Sequence, residues 1–174
     1  MTTTTPEIIE FETCRVIGMS YVGKNENKEI PALWDSENGF LRRMGEVVSP
    51  PAAKWKGTDR HPAFGICRCF PGATDGSFEY IAAVPATADA PIPEGMVEAT
   101  IAAGTYAAFP VPSLDALHAA WQAVGEWQKA HPEWVGYCDN EGCDCVNHPA
   151  FELYPPDFGD QGQLFIYVPV RAGG

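Results

Sequence analysis

Apolar and polar positions follow one pattern twice along this chain. The stretch HPAFELY, His148 to Tyr154, alternates Phe151 and Leu153 with Glu152 and Tyr154. A period of two marks a strand with two distinct faces. A near copy, HPAFGIC, runs from His61 to Cys67 and carries Gly65 where the other carries Glu152. The displacement is 87 (148 − 61). The same displacement relates Trp34 of IPALW to Trp121 of LHAAW, and Phe78 and Tyr80 of FEY to Phe165 and Tyr167 of FIY. Three words in one register mark an internal duplication.

The elements predicted for the two halves agree with it. Residues 14–23 and 97–109 are rich in strand-forming side chains, each with a glycine shortly before a tyrosine (Gly18 and Tyr21, Gly104 and Tyr106). A helix follows in each half. In the second, Ser113 is placed to cap a helix on which Leu114, Leu117, Trp121 and Val124 recur at helical spacing, up to about His131. In the first, Ile30, Leu33, Trp34, Leu41 and Met44 give a less regular helix that ENG at 37–39 interrupts. Two strands close each half, 63–70 and 78–84 around the turn PGATDG, and 150–154 and 163–170 around PPDFGDQG. Such short turns imply antiparallel hairpins. The predicted fold class is therefore α+β. It is an internally duplicated βαββ module whose two antiparallel sheets pair about a pseudo-two-fold axis, with one main helix per half. The chain reads as a single domain over 1–174, with halves at 7–85 and 96–171 and the Pro- and Ala-rich linker ATADAPIPEG at 86–95.

Composition narrows the function. The 174 residues suffice for one substantial core. A net charge of −12 without any basic cluster argues against a nucleic-acid surface or an anionic membrane face. The opening MTTTTPEIIEFE has neither the basic nor the apolar stretch of a secretory signal, and no apolar run approaches a membrane span, so a cytoplasmic location is expected.

Glu152 is the position that asks for an explanation. On an edge strand it would face water. On a strand covered on both faces, its charge is costly to bury unless it finds a partner. Over a concave site it becomes an anchor for a cation, with aromatic faces adding their own attraction. The duplication favours the concave site, because the equivalent wall carries Gly65, which leaves room for a ligand.

The order EGMVEATIAAGTYAAFPV, a Trp-bearing helix, FELYPPDF and LFIYVPV resembles the GyrI-like small-molecule-binding family, as do IPALW and FEYIAAV in the first half. That family includes the effector-binding domains of AraC-type and MerR-type multidrug-responsive regulators. The resemblance runs from about Glu7 to Arg171. It implies two βαββ modules about a pseudo-two-fold axis and a ligand groove between them, with Glu152 at its floor. It further implies aromatic contacts from Trp34, Trp121 and Tyr154, with Tyr21 and Tyr106 as further candidates. The two tryptophans would equally suit a plain core. The implied function is stand-alone binding of an amphipathic, cationic or aromatic small molecule. Two alternatives stand beside it. Some members are hydrolases of reactive small molecules, which would make Glu152 a catalytic general base; a module that inhibits a protein partner is the other. The regulators' helix-turn-helix has no counterpart here, so direct nucleic-acid binding is not expected and any regulatory role would run through a partner. Monomer and dimer are both open.

One cluster lies outside this picture. CDNEGCDCVNH carries Cys138, Cys143, Cys145 and His148, a set able to hold zinc, the one cofactor the sequence suggests. Its spacing is unlike a C-x2-C knuckle, and His61 keeps the HPAF context without a cysteine-rich loop. Redox-active thiols and inert loop cysteines are the other readings. Cys67 and Cys69 share a strand face as small apolar groups. No nucleophile elbow, Walker loop, H-E-x-x-H or dinucleotide fingerprint occurs.

Overall fold

Two very short links govern this fold. Glu12 and Thr13 join β1 (Glu7–Phe11) to β2 (Cys14–Gly23), and Ala102 and Ala103 join β5 (Val97–Ile101) to β6 (Gly104–Val111). The computed structural model describes residues 5–49, 62–69, 77–136, 148–156 and 162–172. Its other strands are β3 (Ala63–Cys69), β4 (Phe78–Pro85), β7 (Trp134–Val135), β8 (Ala150–Tyr154), β9 (Leu164–Pro169) and β10 (Arg171–Ala172). Among the described residues three α-helices accompany them: α1 (Glu29–Trp34), α2 (Phe40–Arg43) and α3 (Leu117–Ala130). Strands β7 and β10 form a small separate pair.

The other eight strands pair antiparallel in one sheet, in the order β1-β6-β9-β8-β3-β4-β2-β5. The expected two sheets are thus one continuous sheet, because β3 and β8 pair directly, from Ala63 with Tyr154 to Cys67 with Ala150. Two strands were not separated in the sequence reading. β1 was not recognised, and β5 and β6 were read as one. These strands cross over, β1 pairing with β6 and β5 with β2.

The links now impose a shape. β1 and β2 stand six strand spacings apart in the sheet order, roughly 29 Å if the sheet were flat. Three Cα steps from Phe11 to Cys14 reach about 11 Å. The β5–β6 link has the same length and spans the same separation. The sheet must therefore curl until its ends approach, and the Ala103 N–H donates to Thr13 Oγ1 across the two links at 3.2 Å. The curl encloses one face. Phe64, Ile66, Ile81, Tyr106, Phe151, Leu153 and Tyr167 fill it, with Phe11 packed in from β1. No helix is needed there, because the sheet covers itself.

Helices cover the outer face in two patches. Leu33 and Trp34 of α1 and Phe40 of α2 pack on Ile17, Tyr80, Ala82 and Val84. Leu117, Trp121, Val124 and Trp127 of α3 pack on Ala107, Phe109, Leu164 and Ile166. The break expected at 37–39 separates α1 from α2. A Cβ at Gly39 would lie 2.4 Å from the Leu33 carbonyl oxygen, so only glycine permits so close a turn. The predicted second helix starts as a 3-10 turn, Leu114–Ala116. Ser113 precedes it in extended backbone and accepts the Ala116 N–H through its carbonyl, but its hydroxyl makes no capping bond. Leu114 does not join the buried stripe and is 53% exposed. The 86–95 segment is held down rather than loose: Arg15 Nη1 donates to the Thr87 and Ala90 carbonyls at 2.6 and 3.0 Å.

One expected correspondence slips. Ala82 stands opposite Gly65, and Ile166 stands opposite Glu152. Measured from that pair, matching places on β4 and β9 are 84 residues apart (166 − 82), not the expected 87. A slip of three is odd, and an odd slip turns every side chain to the other face. Tyr80 accordingly lies on the outer face and Tyr167 in the enclosed cluster.

The enclosed cluster centres on Phe151, whose ring centroid lies 5.0 to 5.5 Å from those of Phe11, Phe64, Tyr106 and Tyr167. Phe151→Ala is expected to lower unfolding free energy by about 3–5 kcal/mol, measured by urea denaturation. A loss below about 1 kcal/mol would mean that this face is not the main core.

Candidate functional site

Between the two helix patches, none of the described helices lies over the outer face of the central pair β3–β8. The result is a groove of about 1030 Å³. Its floor comes from alternating positions: Cys67 of β3, Phe78 and Tyr80 of β4, and Glu152 and Tyr154 of β8. Trp34 stands on one wall and Trp121 on the other. Leu41 and Leu114, about half exposed, belong to the same lining. His118 contributes as well, and among the described residues no Lys or Arg does.

Glu152 is only 5% exposed. β8 lies between β9 and β3, so it is an interior strand and the edge-strand alternative does not apply. Three neutral donors hold the carboxylate. The Tyr80 and Tyr154 hydroxyls donate to Oε1 at 2.8 and 2.9 Å. The Trp121 indole N–H donates to Oε2 at 3.1 Å. Tyr80 is itself fixed, since the Trp34 indole N–H donates to its hydroxyl at 2.9 Å. The rings of Trp34 and Tyr154 meet edge to face at 5.4 Å. Burial pushes the Glu152 carboxyl above its ordinary value, while the Trp121, Tyr80 and Tyr154 hydrogen bonds pull it back down. Burial and the neighbouring carboxylate push the hydroxyls of Tyr80 and Tyr154 up, so both remain protonated donors. Burial, then Glu152, pushes the half-buried Cys67 thiol well up, which keeps it an unreactive neutral group.

Gly65 explains how this cluster fits. It is the direct cross-strand partner of Glu152. A Cβ on Gly65 would lie 2.0 Å from the Tyr80 hydroxyl and 2.8 Å from Glu152 Oε1. The missing side chain thus makes room for Tyr80, not for open groove. The two tryptophans at the 87-residue displacement do equivalent work. Trp121 donates to the carboxylate, and Trp34 donates to the phenol that occupies the space over Gly65.

Of the residues expected at the site, Glu152, Tyr154, Trp34 and Trp121 come together and Gly65 lies beneath them. Tyr106 does not. It is fully buried in the enclosed cluster, with its hydroxyl donating to the Ala102 carbonyl at 3.2 Å, because strand alternation turns it to the inner face. Tyr21 packs beside the first helix patch and accepts the Asn25 N–H at 3.1 Å, outside the groove lining. Cys138, Cys143 and Cys145 lie outside the described residues. His148 is described, and no group of three or more potential metal ligands occurs among the described residues. Tyr80 was missed as a site residue. Its signal was available: a buried strand tyrosine requires a partner for its hydroxyl, and a carboxylate was the unpaired group nearby in the pattern.

Comparison with known proteins extends this. The chain matches the family described as integron-associated effector binding protein over residues 7–170. It is 31% identical over 102 residues to the transcriptional regulator BrlR of Pseudomonas aeruginosa, a match covering 59% of this chain and 33% of BrlR. The match therefore spans about a third of that regulator's length. Among solved structures, SAV2435 bound to tetraphenylphosphonium superposes with a TM-score of 0.63 at 16% identity, covering 95% of this chain and 93% of that one. The integron cassette protein VCH_CASS2, from the mobile metagenome of Vibrio cholerae, gives a TM-score of 0.56 at 18% identity, covering 96% of each. At these identities the likeness is one of fold.

Because the folded carboxyl of Glu152 sits above its unfolded value, its stabilising share is complete below the unfolded value and is lost as pH rises through the folded one. The stability of Glu152→Gln relative to the native chain should therefore increase as pH rises through that window and then level off. Urea unfolding of both proteins across pH reads this difference directly, and a flat difference would refute it. Gly65→Ala should displace Tyr80 and cost about 1–3 kcal/mol. A neutral outcome in the same assay would show that the tyrosine is free to move.

Proposed function

The chain belongs to the integron-associated effector binding protein family, and on that premise we propose that it is a receptor for bulky amphipathic organic cations. The ligand occupies the groove between α1 and α3, with Glu152 as its counter-charge. One observation carries this reading. Among the described residues, a nearly buried carboxylate is held by three neutral donors, no cationic side chain lines its groove, and aromatic faces surround it. Hydrogen bonds from neutral groups keep the acid oriented but do not neutralise it. An organic cation would supply the missing charge and gain cation–π contact with Trp34, Trp121 and Tyr154. The apolar walls suit a ligand with bulky rings. The structurally similar SAV2435 is bound to tetraphenylphosphonium, a cation of that chemistry.

The same reading takes the groove as the seam of a duplicated module, with halves at 7–85 and 96–171. Read outward from the centre, the strand order is β8-β9-β6-β1 on one side and β3-β4-β2-β5 on the other. In each set, strands at matching places come from matching places in the two halves once β1 and β5 are counted as exchanged. The seam is where neither half covers the sheet with its own helix.

Tetraphenylphosphonium titrated into the protein should quench the fluorescence of Trp34 and Trp121, and calorimetry should give a Kd that Glu152→Gln weakens at least about tenfold, about 1.4 kcal/mol. Neutral triphenylphosphine oxide should be nearly indifferent to the substitution. Affinity for the phosphonium should rise with pH as Glu152 ionises. His118 also lines the groove, so the profile is read in a His118→Gln background. Equal loss for charged and neutral ligands would overturn Glu152 as the anchor.

A further inference from the structure

The hydrogen bonds already made by Glu152 restrict which cations it can receive. A carboxylate offers about four acceptor positions, two on each oxygen. Among the described residues, Oε1 accepts from both Tyr80 and Tyr154, and Oε2 accepts from Trp121. Oε1 is therefore full, and one position remains, on Oε2. Guanidinium and amidinium groups bind carboxylates as a fork, with one N–H to each oxygen. Such a fork finds no place on Oε1 and must either displace a tyrosine or leave an N–H unpaired in a desolvated groove. An onium ion without N–H needs no acceptor at all, and an ammonium with a single N–H needs only the one that remains.

We infer that this groove selects onium cations with at most one N–H over forked cations, and that Tyr154 sets the selection. This rests on the reading of Glu152 as the ligand's counter-charge. Of the two hydroxyls on Oε1, that of Tyr80 is fixed by the Trp34 N–H and by the close backbone of Gly65. Tyr154 is half-buried at the groove, and removing its hydroxyl opens Oε1 while leaving the Trp34 N–H its acceptor on Tyr80. Removing the Trp121 N–H would free a position on Oε2, where one already exists, and would leave Oε1 full.

The test uses two probes, tetraphenylphosphonium and N,N′-diphenylguanidinium, titrated calorimetrically into the native chain, Tyr154→Phe and Trp121→Phe, with thermal melting as the check of folding. The readout is the ratio of the two dissociation constants within each protein, so differences in ligand size cancel between proteins. Tyr154→Phe is expected to shift the ratio toward the guanidinium by about tenfold, and Trp121→Phe to leave it unchanged within about twofold. An unchanged ratio in Tyr154→Phe, or an equal shift in both variants, overturns the inference while leaving the cation receptor standing. If the native chain binds neither probe, the receptor reading falls and this inference with it.

Discussion

The surroundings of Glu152 are organised by one constraint: a carboxylate taken out of water, with no cation among the described residues of its groove, must be held by dipoles that cannot rearrange. An isolated buried charge is expensive, and the ordinary remedies are a paired base or protonation. Among the described residues the remedy is three neutral donors from three different elements, the Tyr80 hydroxyl of β4, the Tyr154 hydroxyl of β8 itself and the Trp121 indole of α3. Trp34 of α1 fixes Tyr80 in turn. The positions of both tryptophan-bearing helices on the sheet thus converge on one side chain, and the groove between them is the space they leave over it.

The same constraint accounts for the one glycine in an otherwise repeated word. Partners along an antiparallel pair run in opposite directions, so residues 87 apart meet face to face on β3 and β8 at a single place, Gly65 and Glu152. Two acids there would put like charges in contact within a poorly solvated groove, and one of them would have to stay protonated. A glycine on one strand admits the neutral Tyr80 hydroxyl instead, which both fills the space and serves the remaining acid. Curling of the sheet makes this central pair available. Because the two-residue links pull β1 and β5 around the inner face, that face forms its own core, and the short helices serve only the outer one.

Much of this was legible in local pattern. Alternation in HPAFELY placed Phe151 and Leu153 on one face and Glu152 and Tyr154 on the other, and the structure keeps both pairs: the first inside, the second in the groove. Helical spacing placed Trp121 and Val124 on one buried stripe, and the break at 37–39 separated α1 from α2. The failures have a common form. Tyr106 was assigned to the groove and is enclosed on the opposite face, and the match of FEY with FIY hid an odd slip between β4 and β9. Strand β1, with two of its five residues half-buried and the rest exposed, carried too weak an alternation to be recognised.

The sequence by itself determined the period of each strand, the helix that carries Trp121, and the single place in a repeated word where an acid replaces a glycine. These depend on neighbours a few residues away, where backbone geometry alone relates one side chain to the next. Only the tertiary structure decided which face each strand presents, that β3 and β8 join the sheet into one, and that Tyr80 rather than Tyr106 meets the carboxylate. Those outcomes depend on register between strands far apart in the chain, and a register is set by ladder hydrogen bonds and by the closure of the curled sheet, neither of which is written in any local pattern.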